Sequence, residues 1–332
     1  MIFGSRSGQV ATIIFRIALE EDMDRTILVA VDGSPHSFCI LRYLGKLFAG
    51  VKEIQFHLLC IVSGGEHAIG DDWLQEEERI NALPAEARKR WDHANRYMAE
   101  ALLQLARHGI DPEQVRTETR LKQISLGSDL LMAARDGMYD AILIGRRGLS
   151  KVEALFMGSV SEKILSECHD LPVWMIDGQV HSDKFLVPID GTVHSLRAVD
   201  HLAFILQDNP HAEITLFHSS ALLASKGEST EDEFHEIWGK DWCDLHMSDK
   251  NSVFHAPEQL LLDCGIPANR IHRLHTRRGL HPSRQILRQA LVDDFGTIVM
   301  GRRGKNTRKG LIGSISEPVV LMAEGHAVWL VG

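Results

Sequence analysis

The sequence contains one ordered pattern twice, and this internal repeat constrains the fold more than any other feature. The first copy opens with an apolar run ending in Asp32-Gly33-Ser34, and the second with a run ending in Asp190-Gly191-Thr192. Later come two further matching motifs, Gly-Arg-Arg-Gly at 145–148 and 301–304 and Gly-Ser-hydrophobe-Ser-Glu at 158–162 and 313–317. Matching positions lie 155 to 158 residues apart. Agreement at so many ordered points indicates a tandem duplication.

Strand and helix patterns alternate within each copy. The first copy predicts strands at 27–31, 54–62, 115–121, 141–145 and 172–176, and helices at 37–48, 85–108, 128–137 and 158–167. The second predicts strands at 185–189, 213–218, 271–275, 297–300 and 327–331. Nearly continuous apolar strands are typical of a parallel sheet covered on both faces. We therefore expect an α/β protein with two tandem doubly wound five-stranded parallel-sheet domains, at 24–177 and 183–332, after an N-terminal extension at 1–23.

Composition excludes several classes of protein. The 332 residues carry a net charge of -9, with 45 acidic and 36 basic side chains, which argues against a nucleic-acid partner. No apolar stretch approaches the roughly 20 residues that a membrane span needs, and Arg16 interrupts the apolar N-terminal segment, so neither a membrane anchor nor a secretory signal is expected. The five cysteines form no Cys-x-x-Cys pair and predict reduced thiols in the cytoplasm, and the scattered histidines predict no metal site.

The candidate ligand-binding residues lie where predicted strands end. Gly145 and Gly148 are followed, after nine residues, by Gly158-Ser159-Val160-Ser161 at a predicted helix start. Glycines admit a close ligand, a helix N-terminus supplies unpaired N–H donors, and the serine hydroxyls can add hydrogen bonds. This pattern suits a polyphosphate. Arg146 and Arg147 would add positive charge there or face solvent.

Asp32 ends the first strand beside the same crevice. Its carboxylate can accept a ribose hydroxyl or help to hold a divalent metal such as Mg²⁺. Alternatively, Asp32-Gly33-Ser34 only turns the chain and caps the next helix. The glycine pattern nearby favours a binding site.

Together these motifs, Val-Asp32-Gly33-Ser34 and Gly145-x2-Gly148-x9-Gly158-Ser159, resemble the nucleotide-binding subgroup of the universal stress proteins. The resemblance spans Asp24 to the C-terminus in two copies and implies an adenine nucleotide alpha hydrolase-like fold, binding of ATP or a related adenine nucleotide, pairing through the last strand, and a role in stress responses. It places Asp32 near the ribose and Ile61 against the base. Around the phosphates it places Gly145, Gly148, Gly158, Ser159, Val160 and Ser161.

The second copy departs from this pattern. Its corresponding residues are Asp190, Gly301, Gly304, Gly313, Ser314, Ile315 and Ser316. Only eight residues separate Gly304 from Gly313, and Ser219 stands where the first copy has Ile61. The loop can absorb the missing residue and leave 313–316 in place, or the shorter spacing shifts these residues and disables the site. Because serine also offers a base less apolar contact than isoleucine, we expect the second site to be the weaker one.

Other chemistries lack their motifs. There is no G-x-x-x-x-G-K-[ST], no G-x-G-x-x-G after a strand, and no G-x-S-x-G elbow. Besides Asp32 there is no evident general base, and no positioned nucleophile, which favours a nucleotide-binding regulator over an enzyme. A slow ATPase or nucleotidyl transferase in the same cleft is the alternative.

Two predictions concern surfaces. The acidic segments at 64–79 and 226–249 are either solvated loops or a lid or partner surface, since the second contains Trp238 and Trp242. The two final strands would be exposed apolar edges unless they pair with each other. We therefore expect an intramolecular pseudo-dimer, with a further homodimer as an option.

Overall fold

A computed structural model of the protein describes residues 25–64, 76–146, 157–221, 229–248, 252–276, 279, 281–302 and 313–332. Ten strands lie within these ranges: β1 Arg25–Ala30, β2 Ile54–Val62, β3 Val115–Leu121, β4 Ala141–Gly145, β5 Val173–Ile176, β6 Lys184–Ile189, β7 Glu213–Ser219, β8 Ile271–Thr276, β9 Thr297–Gly301 and β10 Ala327–Val331. All ten predicted strands are confirmed, with ends that differ by at most two residues.

The described part of the chain also contains eleven α-helices. They are α1 Pro35–Phe48, α2 Glu76–Asn81, α3 Ala85–Arg107, α4 Leu126–Asp136, α5 Ser159–Glu167, α6 Val193–Leu206, α7 Glu231–Trp238, α8 Lys240–His246, α9 His255–Asp263, α10 Pro282–Val292 and α11 Ser316–Met322. Short 3-10 turns at Pro112–Gln114 and Ala268–Arg270 lead into β3 and β8. The four helices predicted in the first repeat are confirmed.

The strands form one sheet in the order β3-β2-β1-β4-β5-β10-β9-β6-β7-β8. Within each repeat all pairings are parallel, and the order is that of a doubly wound fold. This confirms the predicted fold class. Each face of the sheet carries one apolar core that spans both repeats: α1, α3, α6 and α9 cover one face, and α4, α5, α10 and α11 the other.

The two repeats meet at their last strands. β5 pairs with β10 in antiparallel register, and Trp174 lies directly opposite Trp329. The two indole rings are fully buried and stack with centroids 3.8 Å apart at an interplanar angle of 2°. The Trp174 Nε1–H donates to Nε2 of His201 on α6 of the other repeat, at 3.1 Å. The apolar strand edges therefore cover each other.

The predictions for the acidic segments need correction. In the second segment, α7 and α8 carry exposed acids on one side, as expected of a solvated face, but Trp238 and Trp242 are buried in the core. Burial of these indoles removes the evidence from which a lid or partner surface was inferred, since neither ring is exposed to a ligand. In the first segment, α2 is helical, and residues 65–75 lie outside the described part of the chain.

Candidate functional site

The carboxyl ends of β1 and β4 define a candidate site in the first repeat. These strands are neighbours, with Val29 in register with Leu143, so Val31 and Gly145 reach the same edge of the sheet. The helix after β1 packs on one face, whereas the helix after β4 packs on the other. A crevice opens where consecutive connections diverge in this way, and ligands of doubly wound sheets bind there.

Asp32 lies at this edge and is held by the turn that follows β1. Its exposed carboxylate accepts hydrogen bonds through Oδ1 from the Ser34 amide at 2.9 Å and from the Ser37 hydroxyl at 2.7 Å. Gly33 has φ +73°, a left-handed conformation that favours glycine. Ser34 caps α1 by accepting from the Ser37 amide. The turn-and-cap interpretation is therefore correct, and these bonds also orient an exposed carboxylate at the crevice.

Asp190 occupies the matching position in the second repeat. Its exposed carboxylate accepts from the Thr192 amide at 3.1 Å and the Thr192 hydroxyl at 2.6 Å, while Thr192 caps α6. Gly191 has φ +78°. The same turn thus forms twice, although threonine rather than serine holds the second carboxylate.

Gly158 lies beside the end of β4 and immediately precedes helix α5. Its backbone is extended, with φ -65° and ψ 146°, and no side chain caps the helix. The first amides of an α-helix have no partner within the helix, and here they follow a residue without Cβ. Ser159 is exposed and Val160 half-buried beside this end. The helix start therefore presents N–H donors and a partial positive charge to the edge of the sheet.

Ser161 has a different environment from the other predicted phosphate contacts. It is buried, and its hydroxyl donates to the Gly145 carbonyl at 2.8 Å. The Gly158 amide donates to the Arg146 carbonyl at 3.2 Å. These bonds fasten the helix start to the end of β4, so the hydroxyl of Ser161 is committed to positioning the helix. Ser316 forms the corresponding bond to the Gly301 carbonyl at 3.3 Å.

The helix start differs in the second repeat. Gly313 has φ +116°, unlike Gly158, and Ser314 and Ile315 form a turn, so α11 begins only at Ser316. Helix α11 has seven residues where α5 has nine. The two candidate sites therefore present different backbone geometry. Gly148 and Gly304 lie outside the described residues, as do most of the loops around them.

The prediction for Arg146 is wrong: its side chain neither faces solvent nor lies free beside the predicted phosphate site. It is 3% exposed, and its guanidinium lies at the seam between the repeats, which is the region where β5 pairs with β10. There Nη2 lies 2.7 Å from Oδ2 of Asp177, and Nη1 donates to the Leu321 carbonyl at 2.6 Å. Arg302 matches it, buried and donating to the Leu165 carbonyl at 3.2 Å. Asp177 belongs to the same repeat as Arg146, whereas the Leu321 carbonyl is supplied by the other repeat. Arg147 lies outside the described residues.

Ile61, the predicted base contact, is the next-to-last residue of β2, and its counterpart Ser219 is the last residue of β7. Strand pairing places Ile61 beside Arg120 and Ser219 beside Thr276, which confirms that the two positions correspond. Ile61 is half-buried against the core covered by α4 and α5. Ser219 donates its hydroxyl hydrogen to Oε1 of Gln285 on α10. Sequence reasoning missed Gln285, which no motif marks.

The electrostatics near Asp32 give no activated nucleophile. Cys60 is buried next to the end of β2, and burial, with a smaller effect of the Asp32 charge, raises its pKa to about 11. Burial likewise raises the pKa of the neighbouring Tyr97. Both groups are therefore protonated near neutral pH. Among the described residues, no group of three or more His, Cys, Asp or Glu side chains could hold a metal ion, and no disulfide joins the five cysteines.

The sheet order defines a duplicated doubly wound α/β protein, and the family follows from sequence comparison. The model of the universal stress protein family matches residues 23–177 and again 181–326. The chain belongs to the universal stress protein family and carries its domain twice. It is 32% identical over 147 residues to the "Universal stress protein in QAH/OAS sulfhydrylase 3'region" of Thermus aquaticus, covering 44% of this chain and 93% of that protein.

Solved structures agree on the fold. A universal stress protein from Archaeoglobus fulgidus DSM 4304 superposes with a TM-score of 0.60 at 21% identity, covering 93% of this chain and 98% of that one. A putative universal stress protein from Pseudomonas aeruginosa UCBPP-PA14 has a TM-score of 0.52 at 15% identity, covering 94% of each chain. No helix among the described residues is long and apolar enough to cross a membrane.

Proposed function

We propose that this protein binds ATP or a related adenine nucleotide at the carboxyl edge of each repeat and acts as a regulator in a stress response. One observation carries the proposal. In the first repeat, the exposed and oriented carboxylate of Asp32 follows β1. The start of α5 at Gly158, which no side chain caps, lies at the end of the neighbouring strand β4, so both groups lie at one edge of the sheet. Asp190 repeats the carboxylate half of this arrangement in the second repeat.

Each part of the edge matches one part of a nucleotide. The amides at the start of α5 and the positive end of its dipole favour the phosphates, and the absence of Cβ at Gly158 permits a close approach. The free lone pairs of Asp32 are suited to ribose hydroxyls. Ile61 offers an apolar surface to a base. Mg²⁺ would accompany the phosphates, because it retains several waters and needs only one or two carboxylates, here Asp32.

Binding is favoured over turnover. The thiol of Cys60 is protonated at neutral pH, and the carboxylate of Asp32 is already engaged through Oδ1. Extraction of nucleotide from purified protein, followed by a turnover assay with ATP and Mg²⁺, tests this. We expect bound adenine nucleotide without multiple turnover. Steady release of ADP or nucleotidyl transfer would instead support the alternative of a slow ATPase or transferase.

The proposal extends to the arrangement of the chain. It assigns 24–177 and 183–332 to two nucleotide-binding domains that form an intramolecular pseudo-dimer through β5 and β10. The stacked Trp174 and Trp329 support it, because they bury the edges through which separate copies would otherwise pair. A cytoplasmic location is proposed because none of the five cysteines forms a disulfide. Sedimentation analysis distinguishes a monomer from a further homodimer.

A further inference from the structure

The second repeat contains a polar pair, a half-buried serine and a buried glutamine, at the position where the first repeat presents Ile61. Ser219 ends β7, and its hydroxyl donates to Oε1 of Gln285. Gln285 lies in the first turn of α10, which follows β8, so it belongs to the carboxyl edge of the sheet. The pair therefore occupies the base side of the candidate nucleotide site.

The side-chain amide of Gln285 retains a hydrogen-bond donor that it does not use. The side chain is 9% exposed, and its Nε2 has no hydrogen-bond partner among the described residues. A buried polar group without a partner is costly, so it usually marks a ligand or a water. Gly279 packs closely against this buried donor, since a Cβ at that residue would lie 2.5 Å from Nε2.

The matching residue of the first repeat offers no such donor. Asp129 is the fourth residue of α4, as Gln285 is of α10. Its two carboxylate oxygens accept from the Gln123 amide at 2.8 Å and the Ile124 amide at 3.0 Å. Position 129 thus fixes its own loop, whereas the amide at 285 retains N–H donors beside a serine hydroxyl.

We propose that Ser219 and Gln285 read the hydrogen-bonding edge of a purine base, so the second site selects a nucleotide by its donor–acceptor pattern. This inference rests on the proposed nucleotide binding. Because the Ser219 hydroxyl donates to Gln285, its oxygen remains an acceptor, while Gln285 Nε2 remains a donor. The pair complements an edge with adjacent donor and acceptor, such as the N6 amine and N1 of adenine. Ile61 cannot make this distinction.

The test compares ATP with purine riboside 5′-triphosphate, which lacks the N6 amine but keeps the ring, ribose and phosphates. Calorimetry on the full chain gives the dissociation constants of both nucleotides for each binding event. We expect one event to favour ATP over the analogue about tenfold, the value of one good hydrogen bond. Ser219→Ala should reduce that ratio to about one.

Two further variants separate base reading from structural support. Gln285→Met should also abolish the preference, because it no longer orients the Ser219 hydroxyl. Ile61→Ala, the matched control, should weaken the other event equally for both nucleotides. Thermal unfolding of each variant monitors the fold. The inference is overturned if native protein shows no preference, or if Ser219→Ala and Gln285→Met lower both affinities equally and preserve the ratio. Absence of all nucleotide binding would instead refute the proposed function.

Discussion

Breaking the buried ion pair between Arg146 and Asp177 should cause a large loss in the free energy of unfolding. The two side chains are 3% and 6% exposed and lie 2.7 Å apart. Removing one member leaves a buried charge without its partner, which costs about 3–5 kcal/mol. Arg146→Met retains much of the aliphatic volume, so we expect that loss with little contribution from a cavity. It also removes the bond to the Leu321 carbonyl.

A double-mutant cycle isolates the ion pair. Urea unfolding is measured for Arg146→Met, Asp177→Asn and the double variant, and the coupling free energy is the amount by which the two single losses exceed the double loss. We expect a coupling of about 2 kcal/mol or more, because the double variant leaves no buried charge. Lys163→Met is the matched control: its pair with Glu167 is at 2.7 Å but half-exposed, and its loss should cost about 0.3–0.5 kcal/mol.

The reasoning fails on either of two results. If Arg146→Met costs no more than Lys163→Met, the guanidinium is not a buried, partnered charge. If the two single losses simply add in the double variant, Arg146 and Asp177 are not energetically coupled.

Three further predictions concern the seam and the second site. Trp329→Ala should lower the free energy of unfolding by about 3–5 kcal/mol, because the ring is fully buried in the seam; a loss below 1 kcal/mol would contradict this. Burial lowers the pKa of His201 to about 3, so the unfolded chain binds the proton first as pH falls below about 6.5. As the pH falls, the free energy of unfolding of the native protein should therefore decrease more steeply than that of His201→Gln, by up to about 1.4 kcal/mol per pH unit. Urea titrations at several pH values measure both dependences, and equal slopes against pH would refute this. Gly313→Val should remove the weaker of two ATP-binding events in calorimetry, since valine is strained at φ +116°; loss of the tighter event would reverse the proposed order.

Local sequence signals predicted much of the fold and part of the site. Continuous apolar runs such as 54–62 specify buried parallel strands, and Asp32-Gly33-Ser34 specifies its own turn and helix cap, because these depend on neighbours in the chain. Arg146 could not be placed in this way. Its partners are the Asp177 carboxylate and the carbonyl of Leu321 on α11 of the other repeat. Both are distant in sequence, so the burial of Arg146 depends on long-range contacts.

Two other residues show the same limit. Trp238 lies among acidic residues in sequence, yet helix formation turns it into the core and leaves the acids outside. Gln285 belongs to no motif, and its importance arises only because the ends of β7 and α10 meet. The sites' unequal helix starts follow the one-residue difference in spacing, but the backbone conformations of Gly158 and Gly313 required the structure.

The central claim is that the helix start at Gly158 holds the phosphates of an adenine nucleotide, and calorimetric titration of the full chain with ATP and Mg²⁺ tests it most directly. Native protein should show saturable binding, and Gly158→Val should lose the tighter event, because a β-branched side chain blocks approach to the amides of α5. Ser166→Val, near the other end of the same helix, is the control and should bind ATP as native protein does. Unchanged ATP affinity in folded Gly158→Val, or equal losses in both variants, would contradict the claim.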